Sequence, residues 1–259
     1  MGSRRRRRSE EAEASAPRAP SRIKGGRETP SDIGRFDERM SDQSAHDQRT
    51  SYDAVADDYT ARIAAELQHK PFDRLLLDQL AEQVRDAGWV ADIGCGPGHV
   101  ARYLHDRGVR VVGIDLSSRM IECARKLHPP IEFQQADMEA LPSANGTWAG
   151  MVAFYSLIHV PRDRMVATLR EFRRVLRSRG LLLLAFHIGA EVVHLDEWWG
   201  HRVSVDFVFF RSDEFEQYLT AAGFDVERST ERDPYPPEIE HQSRRGYILA
   251  KAAATTDAV

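Results

Sequence analysis

The stretch Val90 to Leu104, VADIGCGPGHVARYL, constrains the fold more than any other part of the chain. A short apolar run ends in Asp92, glycine stands at every second position after it (Gly94, Gly96, Gly98), and an amphipathic run begins at once. Glycine has no Cβ and tolerates positive φ, so the backbone can turn sharply and a ligand can lie against it. Free N–H groups at the start of the following helix then face that ligand. Seventeen residues past Gly98, Asp115 ends a second apolar run, VRVVGID. A carboxylate at the tip of the second strand is where a nucleotide offers its ribose hydroxyls. One glycine loop is weak evidence, whereas this loop with an acid at this spacing is strong.

The pattern is G-x-G-x-G, and His99 stands where a dinucleotide-binding dehydrogenase has its third glycine. No GxxxxGK[ST] run is present, which excludes a phosphate-cradling P-loop. The two cysteines, Cys95 and Cys123, make no disulfide framework, and no Cys/His spacing reads as a metal site. They suit a reducing, cytoplasmic setting, with Cys95 read as a small packing residue inside the glycine loop. No apolar run is long enough to span a membrane, so no membrane partner is expected.

Charge is unevenly placed. Residues 1–39 carry 11 Lys/Arg against 7 Asp/Glu, and the remainder carries 25 against 33. The first segment contains RRRRR and almost no large apolar residues, so disorder is expected there. It reads either as a non-native or upstream extension, with Met40 as a natural start, or as a nucleic-acid-binding arm. The acidic remainder argues against a nucleic-acid partner.

Helical spacing over Tyr52, Val55, Tyr59, Ile63 and Leu67, and a second helix opened by Pro71, predict a helical cap at residues 40–88. From residue 89 strands and helices alternate. Strands are expected at 89–93, 109–114, 131–134, 151–155 and 181–186, with helices at 97–106, 117–127 and 161–177. A helix at 212–222 is stopped by Gly223, and strands at 224–228 and 246–251 follow with no helix between them. The expectation is α/β: a doubly wound, seven-stranded, mostly parallel sheet with an antiparallel last strand, over residues 89–252, and a frayed tail at 253–259. An insertion at 188–211, rich in aromatics, falls at the carboxyl ends of the strands. It reads either as a substrate lid or as a satellite core or dimer surface, leaving monomer and homodimer open.

The D-x-G-x-G-x-G form, the acid on the second strand, and ADMEALP after the third resemble the class I S-adenosylmethionine (SAM) dependent methyltransferases, in particular the methyltransferase type 11-like group. The resemblance spans about Tyr52 to Lys251 and implies a Rossmann-like methyltransferase fold with SAM as cofactor. It implies that Asp92 orders the loop and that Gly94, Cys95, Gly96 and Gly98 pass under the methionine end. It further implies that Asp115 takes the ribose hydroxyls, Leu116 packs on the adenine, and Asp137 and the Met138 backbone bond to it. Tyr155 and Ser156 would line the space beside the sulfonium. YDAVADDY resembles a segment that closes over SAM through Tyr52 and Tyr59. Two departures stand out. Trp148–Ala149 replaces a Phe-Asp pair, and FYSL replaces the Asn/Asp-Pro-Pro-Tyr motif of amino-methylating relatives. The DPYP at Asp233 lies between the last two strands and is no substitute.

Methyl transfer from a sulfonium is an in-line displacement, so the protein mainly aligns the groups and excludes water. A base helps a hydroxyl or protonated amine acceptor. His159 is the candidate base, its other reading being a cap on the helix at Pro161; His187 and His194 are further candidates on the substrate side, with Trp198 and Trp199. Arg232, Arg244 and Arg245 read as surface partners of Asp233, Glu238 or Glu240. The expected function is methyl transfer to a small molecule. The alternatives are an RNA or protein methyltransferase using the basic arm, and a SAM-binding protein without transfer.

Overall fold

Apolar runs too short for helices, each followed by an amphipathic run, can bury both their faces only as strands between two helical layers. A computed structural model of the chain describes residues 30–254, with side chains from residue 44. The chain divides into two units, residues 1–40 and 41–259, and the architecture below is that of the second. Of the segment expected to be disordered, residues 1–29 lie outside the described residues while 30–39 are helical, as the first turns of an N-terminal helix; of the tail expected to fray, residues 255–259 lie outside them.

Helix α1 (Pro30–Ile63) leads through a single-turn 3-10 helix (Glu66–His69) to α2 (Pro71–Val84), with Pro71 in its first turn as its fixed φ favours. Then come β1 (Trp89–Ile93), α3 (His99–His105), β2 (Arg110–Asp115), α4 (Ser118–Leu127), β3 (Glu132–Gln135) and β4 (Trp148–Phe154). A 3-10 turn (Leu157–His159) precedes α5 (Arg162–Val175) and β5 (Leu176–His187). A hairpin of β6 (Val192–Trp198) and β7 (His201–Val208) leads to α6 (Ser212–Ala221), β8 (Phe224–Arg232) and β9 (Arg245–Ala252). The Ser117 hydroxyl caps α4 by accepting from the Met120 N–H, as its residue type predicts.

The main sheet has seven strands in the order β3-β2-β1-β4-β5-β9-β8. β3, β2, β1, β4 and β5 pair in parallel, while β9 runs antiparallel to both β5 and β8. The reversed last strand is where the absence of a connecting helix requires it. Alternate residues of β5 serve two cores. Leu182, Leu184 and Phe186 pack toward α5 and α6 with Met165, Leu169, Phe172 and Phe215. Leu181, Leu183 and Ala185 pack toward α2 and α3 with Leu77, Leu80 and Leu104. The largest departures from the expected boundaries are that β4 begins at Trp148, that α5 ends at Val175 with the chain passing directly into β5 at Leu176, and that β8 runs on to Arg232.

The insertion at 188–211 is a two-stranded sheet of its own, separate from the seven-stranded one. Its turn is Trp199–Gly200, with φ of 53° and 84°. Two positive φ values in succession match the right-handed twist of the flanking strands. The ends of the insertion are held together, since Ile188 bridges Phe210 and the Phe210 N–H donates to the His187 carbonyl over 3.0 Å. The hairpin packs on α1 through Val203 and Val205, which bury Val55 completely, and the Ser204 N–H donates to Ser51 Oγ over 2.9 Å.

Candidate active site

The carboxyl ends of β1, β2, β4 and β5 converge on one cavity, as an open α/β sheet dictates. β1 ends at Ile93, and the loop that follows turns on left-handed glycines at 94, 96 and 98 (φ 66°, 51° and 81°). A Cβ on Gly94 would occupy the place of the Ser156 side chain, and one on Gly98 would lie 2.6 Å from Phe133 Cζ. Asp92 Oδ2 accepts the Ala101 N–H over 2.9 Å, which ties the loop to the first turn of α3. Burial pushes its carboxyl up to about 7. Asp115 accepts Gly96 N–H on Oδ2 and Ser117 N–H on Oδ1, each over 2.8 Å. Burial raises Asp115 to about 6, and these two N–H groups hold it from rising further. Each carboxylate oxygen has lone pairs to spare for a ribose hydroxyl.

Beyond Asp115 a slot is walled by Ile93, Ile114, Leu116, Ala136, Asp137 and Met138. Asp137 Oδ1 accepts the Glu139 N–H over 2.9 Å, and burial raises its carboxyl. The slot shares Gly94, Asp115, Leu116 and Met138 with a larger cavity of about 870 Å³. That cavity runs past Tyr52, Tyr59, Cys95, Gly96, Tyr155 and Ser156 to His187, Trp198 and Trp199. Cys95 is buried, and burial pushes its thiol up, in keeping with a packing role. Nothing lies closer to a Cβ position on Gly96 than Tyr59 Cε1 at 3.6 Å, so the loop has an open face. Open glycine backbone, an acid with free lone pairs and an apolar slot beyond it fit the methionine, ribose and adenine of SAM.

Tyr52, Tyr59 and Trp198 form a mutual edge-to-face triangle with centroids 5.6–5.8 Å apart. The expected closing segment and the expected lid are thus one aromatic cluster. Trp199 carries the Arg62 guanidinium 4.6 Å above its ring.

The histidines divide. His159 is buried, with Nδ1 2.8 Å from the Asp206 carbonyl and Nε2 2.7 Å from the Tyr52 hydroxyl. A carbonyl only accepts, so Nδ1 carries the proton and Nε2 accepts from Tyr52. Burial holds the ring down to about 4. His159 therefore presents no free lone pair, and it does not cap α5, whose N-terminus has no side-chain hydrogen bond. It fastens α1 and β7 to the end of β4 instead. His194 points away from the cavity, pairing with Asp206 at 2.7 Å and Asp196 at 3.3 Å. Side chains alternate along a strand, so its neighbours Val193 and Leu195 face inward and His194 cannot. His187 lines the cavity.

Sequence reasoning missed a charged cluster at the β5 side. Lys70 and Arg245 line the cavity, at 5.3 and 5.4 Å from the Tyr155 ring. Lys70 pairs with Glu66 at 2.7 Å, and Glu66 bonds His99 at 3.1 Å. Arg232 grips Glu240 through both nitrogens (2.5 and 3.1 Å) and reaches Asp73 at 3.2 Å. Arg232 and Arg245 are therefore not surface pairs; Arg244 is, meeting Asp233 and Glu231. The missed signal was the Glu66–Lys70 spacing of four just before Pro71, which places both on one side of the turn.

Residues 90–180 match a family model described as methyltransferase domain. The chain is 30% identical over 138 residues to malonyl-[acyl-carrier protein] O-methyltransferase of Enterobacter lignolyticus, covering 51% of this chain and 53% of that protein. It is 46% identical over 57 residues to trans-aconitate 2-methyltransferase of Azoarcus sp., covering 21% and 22%. The chain spans about half the length of the first of these curated relatives. Among solved structures, a DhpI–SAH complex superposes with a TM-score of 0.62 at 22% identity, covering 81% of this chain and 97% of that one. The [4+2]-cyclase SpnF superposes with 0.61 at 18% identity and the same coverage. The loop, the acid and the strand order are thus those of a Rossmann-like methyltransferase fold, and residues 90–180 are similar to the SAM-dependent methyltransferase domain.

Proposed function

We propose that this protein transfers a methyl group from SAM to a small-molecule acceptor held over β4 and β5. The observation that carries this reading is the continuity of the cavity: it begins at the glycine loop and ends among His187, Phe209 and Arg245, two strands away from the cofactor cradle. SAM, when bound, supplies an electrophilic methyl group on a good leaving group. The chain's own residues align and enclose. Asp115, the glycine loop and the 116–138 slot fix one partner, while Tyr155, Ser156, Val193, Leu195 and Phe207 shape the space for the other. The β6–β7 hairpin covers this space and excludes water. His159 is a positioning residue that holds the Tyr52 hydroxyl. A relative named for trans-aconitate supports a small acceptor, and one named for malonyl-[acyl-carrier protein] supports a small acyl group presented on a carrier.

A second reading, a SAM-binding protein with no transfer activity, is favoured by one observation: the fold is shared with a [4+2]-cyclase, so fold alone does not fix the reaction. Incubation with methyl-labelled SAM and a metabolite extract separates the two. Label entering a small organic product supports transfer. Tight SAM binding by calorimetry with no labelled product supports the second reading.

A further inference from the structure

His187 ends β5 at the acceptor side of the cavity. Its Nδ1 lies 2.6 Å from Arg245 Nη1 and 2.7 Å from Ser243 Oγ. An arginine nitrogen only donates, so Nδ1 is an acceptor and the ring proton sits on Nε2. Among the described residues Nε2 has no protein hydrogen-bond partner in the contacts of this ring. The ring is wedged between Phe209 (5.0 Å) and Tyr155 (5.3 Å), with His241 at its edge. Burial first, and then the cations of Arg245 and Lys70, push its pKa down to about 2, so it stays neutral. His187 is thus a fixed N–H donor in an aromatic slot, with the cations of Lys70 and Arg245 about the same tyrosine.

The rest of the cavity offers little to remove a proton. His159 Nε2 is taken by Tyr52. Glu66 is engaged by Lys70 and His99, and Glu240 by Arg232 and the Tyr235 N–H. Glu238 and His241 are exposed at the rim, and His99 is tied to Glu66 through Nε2. A neutral alcohol or a protonated amine needs a base before it can attack. A carboxylate does not.

We propose that the acceptor is a carboxylate, and that the His187 Nε2–H holds one of its oxygens while the other attacks the methyl carbon. This rests on the methyl-transfer reading above. The acceptor's carboxylate oxygen forms the new O–C bond as the C–S bond breaks, the electron pair stays on sulfur, and no proton is released. The products are a methyl ester and the demethylated thioether. His187 selects and orients the acid.

The test uses the full chain and a set of short linear and aryl carboxylates, each paired with the alcohol and the amine of the same skeleton. SAM binding is measured first by calorimetry; its absence removes the cofactor reading. With SAM bound, the acids are expected to bind and give methyl esters by mass spectrometry, ahead of their alcohols and amines. Turnover of alcohols or amines in preference, or binding of none of the acids, overturns the carboxylate site and leaves the cofactor reading standing. His187→Phe is expected to weaken acid binding to the SAH-loaded protein at least tenfold with SAM affinity unchanged. His187→Gln, whose amide N–H can replace Nε2–H, is expected to recover most of it. Equal acid binding in His187→Phe, or no recovery in His187→Gln, overturns the role of His187. Nitrogen-15 NMR of the histidine rings reads the tautomer directly, and a proton on Nδ1 of His187 overturns the donor assignment.

Discussion

Asp115 shows how one side chain ties ligand chemistry to pH. Its carboxylate must accept from the ribose hydroxyls, and burial has raised it to about 6. SAM binding favours the ionised form, so affinity is expected to hold above pH 6 and to fall by about tenfold per unit below it. Calorimetry from pH 8 to pH 5 checks this, and Asp115→Asn is expected to bind weakly at every pH with no such slope. Gly94 makes a second test at this scale. Its positive φ and its contact with Ser156 both reject a Cβ. Gly94→Ala is expected to cost about 2 kcal/mol or more of stability and to cut SAM affinity, since the loop must shift away from Ser156. An unchanged melting temperature would show that the loop has room the packing denies. Both residues were legible in the sequence because their residue types announce backbone geometry and ribose chemistry. The fixed tautomers of His159 and His187 were not, because their partners Asp206 and Arg245 lie 47 and 58 positions away.

At the level of elements, the sheet was legible because each strand is a short apolar run between helical ones. The hairpin was legible only in half. Val203, Val205 and Phe207 alternate along β7 and carry a strand signal, whereas β6 carries His194, Asp196 and Glu197 and gives no comparable stripe. Its inward side chains are few because the cavity, not a packed layer, lies beneath it. Trp198 packs on Tyr52 and Tyr59, so the hairpin and α1 share one cluster. Edge-to-face ring pairs contribute about 0.5–1.5 kcal/mol each. Trp198→Ala is therefore expected to weaken SAM binding severalfold as well as to raise the acceptor's KM. A change in KM alone, measured beside calorimetry of SAM, would show that the lid touches the acceptor and nothing else.

Across the whole molecule, buried titratable groups pull stability in opposite directions. A histidine depressed by burial contributes stability above its unfolded pKa, near 6.5, and loses it as pH falls toward the folded value. His159, at about 4, and His187, at about 2, are of this kind. Asp92, at about 7, and Asp115, at about 6, are raised acids. Their contribution is present at low pH and lost as pH rises through those values. Between pH 7 and pH 5 the two sets offset, so the melting temperature is expected to be nearly flat. His159→Gln keeps a donor for the Asp206 carbonyl and an acceptor for Tyr52 while removing one titration. Its melting temperature is expected to rise by a few degrees on going from pH 7 to pH 5. A fall in both proteins, followed by calorimetry or circular dichroism, would mean that the carboxyls are not raised.

The closed neck of the hairpin has a consequence for how such a protein can diversify. Ile188 and Phe210 already meet at the end of β5, so the chain enters and leaves the insertion at nearly one point. The entropy of closing a loop whose ends are held grows only slowly with its length. Whatever stands between those two residues can be lengthened, shortened or exchanged with little effect on the sheet below. The roof over the acceptor is thus interchangeable where the floor under the cofactor is not, and a lineage built on this plan can acquire new acceptors by trading roofs.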